Sequence, residues 1–344
     1  MVTMQDIARQ AGVSKMTVSN VLRGRGHYSQ ETSELVLATA RKLHYRISAR
    51  SVAAGSLRRH DGESHGSIGV AVSSLRALWV SELSSHIIEA AKARRYEASV
   101  EETRVRQQDE ESAIRRLTAH FYDGLIFTHS NLAPEIIDSL SLHRPTVLVD
   151  YTYPRRALDT VTTDSERAGH LIVEYLASRG HRNIMVMGAS PDPARNSDDI
   201  NYVRASRLKG CMDAMDRAGL PYDDRSFLGP QWDSDVCRAA IDDLGREALS
   251  RFDAIVCLND SAAIGVIRGL RDLGIRVPED IAVTGMSGIE MGEYTTPSLT
   301  TVDLDLRSVA DAAVRLLVDR IEGTDDPEPR TVNIPCRLRP GESA

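Results

Sequence analysis

The sequence predicts a small all-α helix-turn-helix head followed by an α/β body with parallel sheets. Three observations predict it. Residues 3–22 read as two short helices joined at Gly12. From Ser67 onward, apolar runs of strand length alternate with amphipathic helical stretches. Charge divides along the chain as well: residues 1–59 hold ten Lys and Arg against three Asp and Glu, a net of +7, in a chain whose formal net charge is −7. A basic head on an acidic body places any contact with a polyanion on the head, because the rest would repel phosphate.

At 344 residues the chain exceeds one ordinary core, so two or three domains are expected. Hydrophobic residues make up 42% and charged residues 26%, an ordinary soluble composition. No run of 18 apolar residues occurs, and the start lacks a basic-then-apolar signal segment. The expected location is therefore the cytoplasm. Cys211, Cys237, Cys257 and Cys336 are widely spaced, with no CxxC or Cys/His cluster. They are expected as reduced thiols, with no metal and no cofactor.

The head is read residue by residue. Thr3 caps the first helix, with Asp6 three positions on as its acidic partner. Ile7 and Ala8 give that helix an apolar side, and Gly12 ends it. Val13 packs, Ser14 caps the second helix, and Val18, Val21 and Leu22 form its stripe. Gly24-Arg25-Gly26 ends that helix. Ser29 then caps a third, of about 14 residues, with Val36, Ala40 and Leu43 inward. Lys15, Met16, Thr17, Ser19 and Asn20 face outward at the start of the second helix. Such groups donate to base edges and phosphates or touch a thymine methyl. A generic three-helix bundle with a solvated polar face is the alternative from pattern alone.

VTMQDIARQAGVSKMTVSNVLRG, then YSQET and ARKLHYRIS, resembles the DNA-binding head of the lactose/galactose repressor (LacI/GalR) family. The resemblance implies that Lys15, Met16 and Asn20 choose the operator sequence. It implies phosphate contacts from Ser14, Thr17 and Ser19, and further backbone contacts from Thr3 and Tyr45. Lys15 suits guanine; Met16 suits a methyl group or local shape. The hinge departs from the family pattern. Ile47 replaces the usual Pro, and strict register puts the small Ala54 where the family has a minor-groove Leu wedge. A two-residue deletion makes Val52 the wedge, and a one-turn extension makes it Leu57, the reading favoured here. The polar linker over 58–66 follows.

In the body, SIGVAVSS, EASVEET, DGLIFTH, PTVLVDY, NIMVMGA, DAIVCLND and DIAVTGM are short apolar runs, and WVSELSSHIIEAAKARR is amphipathic. Each run is followed by a helical stretch, and the strands read as buried on both faces, which means parallel sheets. No GxGxxG follows the first strand, and no GxxxxGK[ST], GxSxG or HExxH occurs, so no catalytic constellation emerges. Ligands of open α/β sheets bind beyond the carboxyl ends of strands. Those ends carry Ser73 and Ser74, Thr128 and His129, Asp150, and Asn259-Asp260; turn and cap roles are the alternative for each.

The resemblance extends through GHRNI (180–184), LNDSAAIGVIRGLRDLGIRVPEDIAVTG (258–285) and PSLTTV (297–302) to about residue 340. It implies a periplasmic-binding-protein-like effector domain: two parallel-sheet subdomains joined by three crossovers around a cleft. The implied division is a head of 1–46, hinge and linker of 47–66, and an effector-binding and dimerisation domain of 67–340. Its subdomains would be 67–162 plus 303–333, and 163–302 plus the C-terminal strand. The implied ligand-binding residues are Ser73, Trp79, Thr128, Asp150, Arg207, Trp232, Asn259, Asp260, Ser287 and Leu306. Trp79 and Trp232 would stack on a sugar ring or base, with core packing as the alternative. Arg207 would be a forked donor to hydroxyls or a carboxylate. Ser287 stands where the family often has an Asp for sugar hydroxyls, so a charged acceptor is missing; Glu290 is the nearby substitute. The C-terminus has no heptad repeat, so a homodimer through the body is expected. The function implied is a ligand-responsive transcriptional regulator, foremost a repressor, binding pseudo-palindromic operator DNA as a dimer and a small sugar-like effector in its cleft. A ligand-independent regulator with a vestigial cleft is the alternative, ahead of a solute-binding protein or an enzyme.

Overall fold

Thr3 begins the first helix, α1 (Met4–Ala11), through a reciprocal cap: its Oγ1 accepts the Asp6 N–H at 3.3 Å, and Asp6 Oδ2 accepts the Thr3 N–H at 2.9 Å. Gly12 closes α1 with φ of 66°, the left-handed conformation that a Cβ disfavours. Ser14 then starts α2 (Lys15–Leu22) by accepting the Thr17 N–H at 2.9 Å. Ser29 Oγ accepts the Thr32 N–H at 3.1 Å, and Thr32, Leu35, Val36, Thr39 and Ala40 are helical. Ile7, Ala8, Ala11, Val18, Val21, Val36 and Ala40 form one small core. This computed structural model describes residues 3–22, 28–29, 32, 35–36, 39–40, 43, 66–103, 122–128, 144–150, 158–192, 194, 202–323 and 328–344. Tyr45, Val52, Leu57, His129 and the hinge and linker up to residue 65 lie outside them.

Among the described residues the body holds two six-stranded sheets. The first contains β1 (Gly66–Val72), β2 (Tyr96–Glu102), β3 (Gly124–Thr128), β4 (Thr146–Val149), β5 (Asp159–Thr163) and β11 (Thr331–Ile334). Its order is β11-β5-β4-β3-β1-β2, all parallel. The second contains β6 (Ile184–Met187), β7 (Phe227–Leu228), β8 (Ala254–Cys257), β9 (Ala282–Ser287), β10 (Thr300–Asp303) and β12 (Arg337–Arg339), in the order β12-β10-β9-β8-β6-β7. Only β12 is antiparallel there, against β10. Every residue of β3, β4, β6 and β8 is buried, as strands covered on both faces must be.

Among the described residues the covering helices are α3 (Leu78–Ala93), α4 (Ser165–Ser178), α5 (Tyr202–Ala218), α6 (Ser234–Leu249), α7 (Asp260–Asp272) and α8 (Leu306–Glu322). α8 lies on β3, β4 and β5 beside α3, while α4 lies on the second sheet beside α5. The chain therefore crosses from the first sheet to the second after Thr163, returns after Asp303, and crosses again between Ile334 and Arg337. Asp159, whose side chain is 1% exposed, locks β5 to α8 through Arg320, whose Nε donates to Oδ2 at 2.7 Å and Nη2 to Oδ1 at 2.9 Å. At a separate point the two halves touch directly, the Glu290 N–H donating to Glu82 Oε2 at 3.1 Å. Among the described residues no helix is long and apolar enough to cross a membrane.

Candidate effector cleft and DNA-binding face

On the head, α2 presents the polar face that the sequence assigns to it. Lys15 and Met16 are exposed, Met16 by 71%, although it is a large apolar side chain. Thr17, Ser19 and Asn20 are half-buried along the same helix. Ser14 and Thr17 also bond hydroxyl to hydroxyl at 2.8 Å, so each hydroxyl is oriented before any phosphate arrives. Thr3, whose hydroxyl donates to Asp6 Oδ2 at 2.7 Å, is likewise exposed.

In the body, six of the ten expected ligand-binding residues, Ser73, Thr128, Asp150, Asn259, Asp260 and Ser287, stand at or just past the carboxyl ends of parallel strands, while Trp79, Arg207 and Leu306 belong to helices and Trp232 to a loop. Ser73 follows β1 and is half-buried; Ser74 serves the turn, its Oγ accepting the Arg76 N–H at 3.3 Å. Thr128 ends β3, buried, with its hydroxyl on the Ala71 carbonyl at 3.4 Å. Asp150 follows β4 with φ of 50°, a left-handed backbone that a short polar side chain tolerates. Thr163, at the end of the adjacent β5, holds it there: its N–H donates to Asp150 Oδ1 at 2.7 Å and its Oγ1 at 3.0 Å.

Arg207 crosses the ends of the second sheet from α5. Its Nη1 donates to the Leu258 carbonyl at 2.5 Å and the Met286 carbonyl at 2.9 Å, just past β8 and within β9. The residue is 2% exposed, and burial pulls its guanidinium below the usual value while Asp150, then Asp260, act in the opposite sense. Asp150 follows β4 of the first sheet and Arg207 lies on α5 beside the second, so the carboxylate of one half acts electrostatically on the guanidinium of the other. Arg207 Nε is buried and has no hydrogen-bond partner among the described residues. A buried N–H donor left unpaired is costly, and it marks a position where an acceptor is wanted.

Trp232 stands beside this guanidinium, 5.2 Å from ring centroid to Cζ, with its Nε1 donating to the Gly188 carbonyl at 2.8 Å. Arg204 approaches the same ring at 5.1 Å and is buried. The sequence reading missed Arg204. Its signal was present: it precedes Arg207 by three positions and so shares a helix face. Trp79, by contrast, is 8% exposed and packs in the main hydrophobic core with Val80 and Leu83. Leu306, the first residue of α8, is buried in that core as well.

Three other expected contacts carry structural duties. Asn259 caps α7, its Oδ1 accepting the Ala262 N–H at 2.8 Å and its Nδ2 donating to the Trp232 carbonyl at 3.2 Å. Asp260 is 0% exposed, accepting from Thr301 Oγ1 at 2.5 Å and from the Ile289 N–H at 2.9 Å. Ser287 is buried with its hydroxyl turned onto the Met286 carbonyl. Glu290 is exposed, so it supplies no buried acceptor in place of Ser287.

A DNA-reading head on a two-sheet, three-crossover body defines a ligand-binding transcriptional regulator built on the periplasmic-binding-protein plan. Residues 3–48 match the family of bacterial regulatory proteins, lacI family, and residues 173–344 match the periplasmic binding protein-like domain. The chain is 30% identical over 327 residues to the HTH-type transcriptional repressor PurR of Vibrio atlanticus (strain LGP32), covering 94% of this chain and 93% of that one. Among solved structures it is 31% identical to a LacI-family transcriptional regulator from Sanguibacter keddieii, with a TM-score of 0.71 over 81% of this chain and 98% of the other. The transcriptional regulator CelR in complex with cellobiose matches over 100% of both chains, at 25% identity and a TM-score of 0.69. The chain belongs to the LacI family of bacterial regulatory proteins. It is a DNA-binding, ligand-responsive transcriptional regulator of the repressor class.

Proposed function

We propose that this regulator binds a polar, sugar-like metabolite against Arg207 and Trp232, and that occupancy changes its affinity for a pseudo-palindromic operator. The unpaired, buried Nε of Arg207 carries this reading, because a ligand oxygen would satisfy it where Asp150 and the second sheet meet. Ser73, Thr128, Asp150 and the face of Trp232 complete the proposed contacts, with Trp79, Asn259, Asp260, Ser287 and Leu306 shaping the wall. The cellobiose bound by CelR supports the sugar class. The proposed organisation is a head of 1–46, a hinge and linker of 47–66, and a body that dimerises and places two recognition helices in successive major grooves. The protein acts in the cytoplasm and catalyses no reaction.

Ligand closing the cleft would reset the spacing of the two heads, with a coupling of about 1–3 kcal/mol. The test is titration of the full chain with sugars, sugar phosphates, polyols and nucleobases, read by tryptophan emission and by binding to operator DNA. A ligand that quenches or shifts emission should lose that signal in Trp232→Phe, bind at least about tenfold more weakly to Arg207→Lys, and change operator affinity. A panel in which no member changes emission or operator affinity would overturn the sugar-like reading of the ligand.

A further inference from the structure

Outside the cleft, the crossing of α4 and α5 gathers side chains that neither DNA binding nor the cleft uses. The helices meet at Gly169 and Gly210. A Cβ at Gly169 would lie 2.5 Å from the Arg207 carbonyl oxygen, and one at Gly210 would lie 2.0 Å from the Glu166 carbonyl oxygen. This approach sets Glu166 and His170, one turn apart on α4, against Asp213 of α5. Donor atoms of the three side chains all lie within 4.8 Å of one another. His170 is 9% exposed, and its Nε2 is buried without a hydrogen-bond partner, 3.8 Å from Asp213 Oδ2. We propose that Glu166, His170 and Asp213 form a binding site for a divalent transition-metal ion of the zinc class, and that the Lys209 ammonium closes this site when no ion is bound.

The donor set suits that chemistry. One imidazole nitrogen and two carboxylates match zinc, cobalt or nickel, and they leave coordination positions open to water. Donors around one tetrahedral zinc stand about 3.4 Å apart, so modest rotamer changes of the two carboxylates would complete the set. Those carboxylates have room to move, at 44% exposure for Glu166 and 37% for Asp213, while the imidazole is fixed by burial. The two carboxylates already grip a cation: Lys209 Nζ lies 2.5 Å from Glu166 Oε1 and 2.9 Å from Asp213 Oδ2. That ammonium leaves His170 Nε2 unpaired, whereas a metal ion would engage all three groups. Lys209 is 57% exposed and free to swing into solvent when displaced.

Access is provided by a polar cavity of about 510 Å³ that Glu166 and His170 line together with Thr162, Asp164 and Asn333. Arg167, the cation at this cavity, is turned toward Glu174 at 3.4 Å and does not fill the site. Thr162 and Asp164 flank the passage from β5 into α4, and Asn333 precedes the passage from β11 to β12. An ion held here would bind α4 to α5 beside two of the three crossovers, where the halves of the body articulate.

The experiment is zinc chloride titration of the full-length protein against a competing chromophoric chelator, with the melting temperature followed in parallel. One ion per chain is expected, with a rise in melting temperature. His170→Gln and Asp213→Asn should each weaken binding by more than about tenfold. Lys209→Met removes the competing cation and should tighten it by about tenfold or more. This gain cannot arise from misfolding. Absence of binding to the native chain and to Lys209→Met overturns the proposal. So does zinc affinity unchanged by His170→Gln, or zinc affinity lost instead in Cys336→Ser, which would place the ion on a thiol.

Discussion

Asp260 is a carboxylate held where water cannot reach it. Burial raises its pKa to about 6, against the lowering effect of the Thr301 hydroxyl and the Ile289 N–H. The folded protein thus keeps a proton that the unfolded chain has released, and stability falls as pH rises across that range. The contribution of this group is complete below about pH 4 and is lost as pH passes 6, a change of about 3 kcal/mol. Asp260→Asn removes the titration. Urea midpoints at pH 4, 5, 6 and 7 should show wild type losing ground steadily against the variant. A constant gap between them would mean that Asp260 ionises at an ordinary pH. Through the Thr301 and Ile289 contacts this Asp at a strand end also fixes the loop after β9.

At the scale of elements, close helix crossings rest on single glycines. A methyl at Gly210 would press on backbone, the Glu166 carbonyl, which has no rotamer with which to yield. α4 and α5 must separate to admit it, and overpacking of this kind costs about 1–3 kcal/mol or more. Gly210→Ala should lower the melting temperature by at least about 2 °C, and an unchanged melting temperature would show that the crossing opens freely. Neither Gly210 nor Gly169 stood out in the sequence, because only the facing helix makes them necessary. What was legible had a local cause. β1, β3, β4, β6, β8 and β9 read as apolar runs since both faces are covered, and the caps at Thr3 and Ser14 lie within three residues of their partners. β5 escaped notice because DTVTT carries a single large apolar residue, Val161, and its other buried positions are Asp159 and Thr163. Of the proposed site, the sequence offers the strand-end polar residues and Arg207. It does not offer their supports: Thr163 lies 13 residues from Asp150, and Arg204 acquires a role only when α5 meets Trp232.

For the whole molecule, charge and shape divide the work of reading DNA. The basic head draws phosphate while the acidic body repels it, so affinity for arbitrary DNA is held down and base contacts must supply the preference. Met16 isolates that second contribution. It is 71% exposed and carries no charge, so its removal should leave both the head's packing and the ionic contacts intact. Met16→Ala should melt with the wild type and keep the same dependence of affinity on salt. It should lose about 1–3 kcal/mol of preference for selected operator duplexes over scrambled ones, provided the side chain lies against a base pair. Lys15→Ala should weaken binding at every sequence if the ammonium sits on phosphate, with the salt slope reduced by about 1. If it reads guanine, the loss should fall on the operator alone. Fluorescence anisotropy on both duplexes, at salt between about 50 and 200 mM, separates these outcomes. A Met16→Ala variant that loses affinity equally for both duplexes would remove this side chain from sequence reading and leave specificity to Lys15, Asn20 and the deformation of DNA at the operator centre.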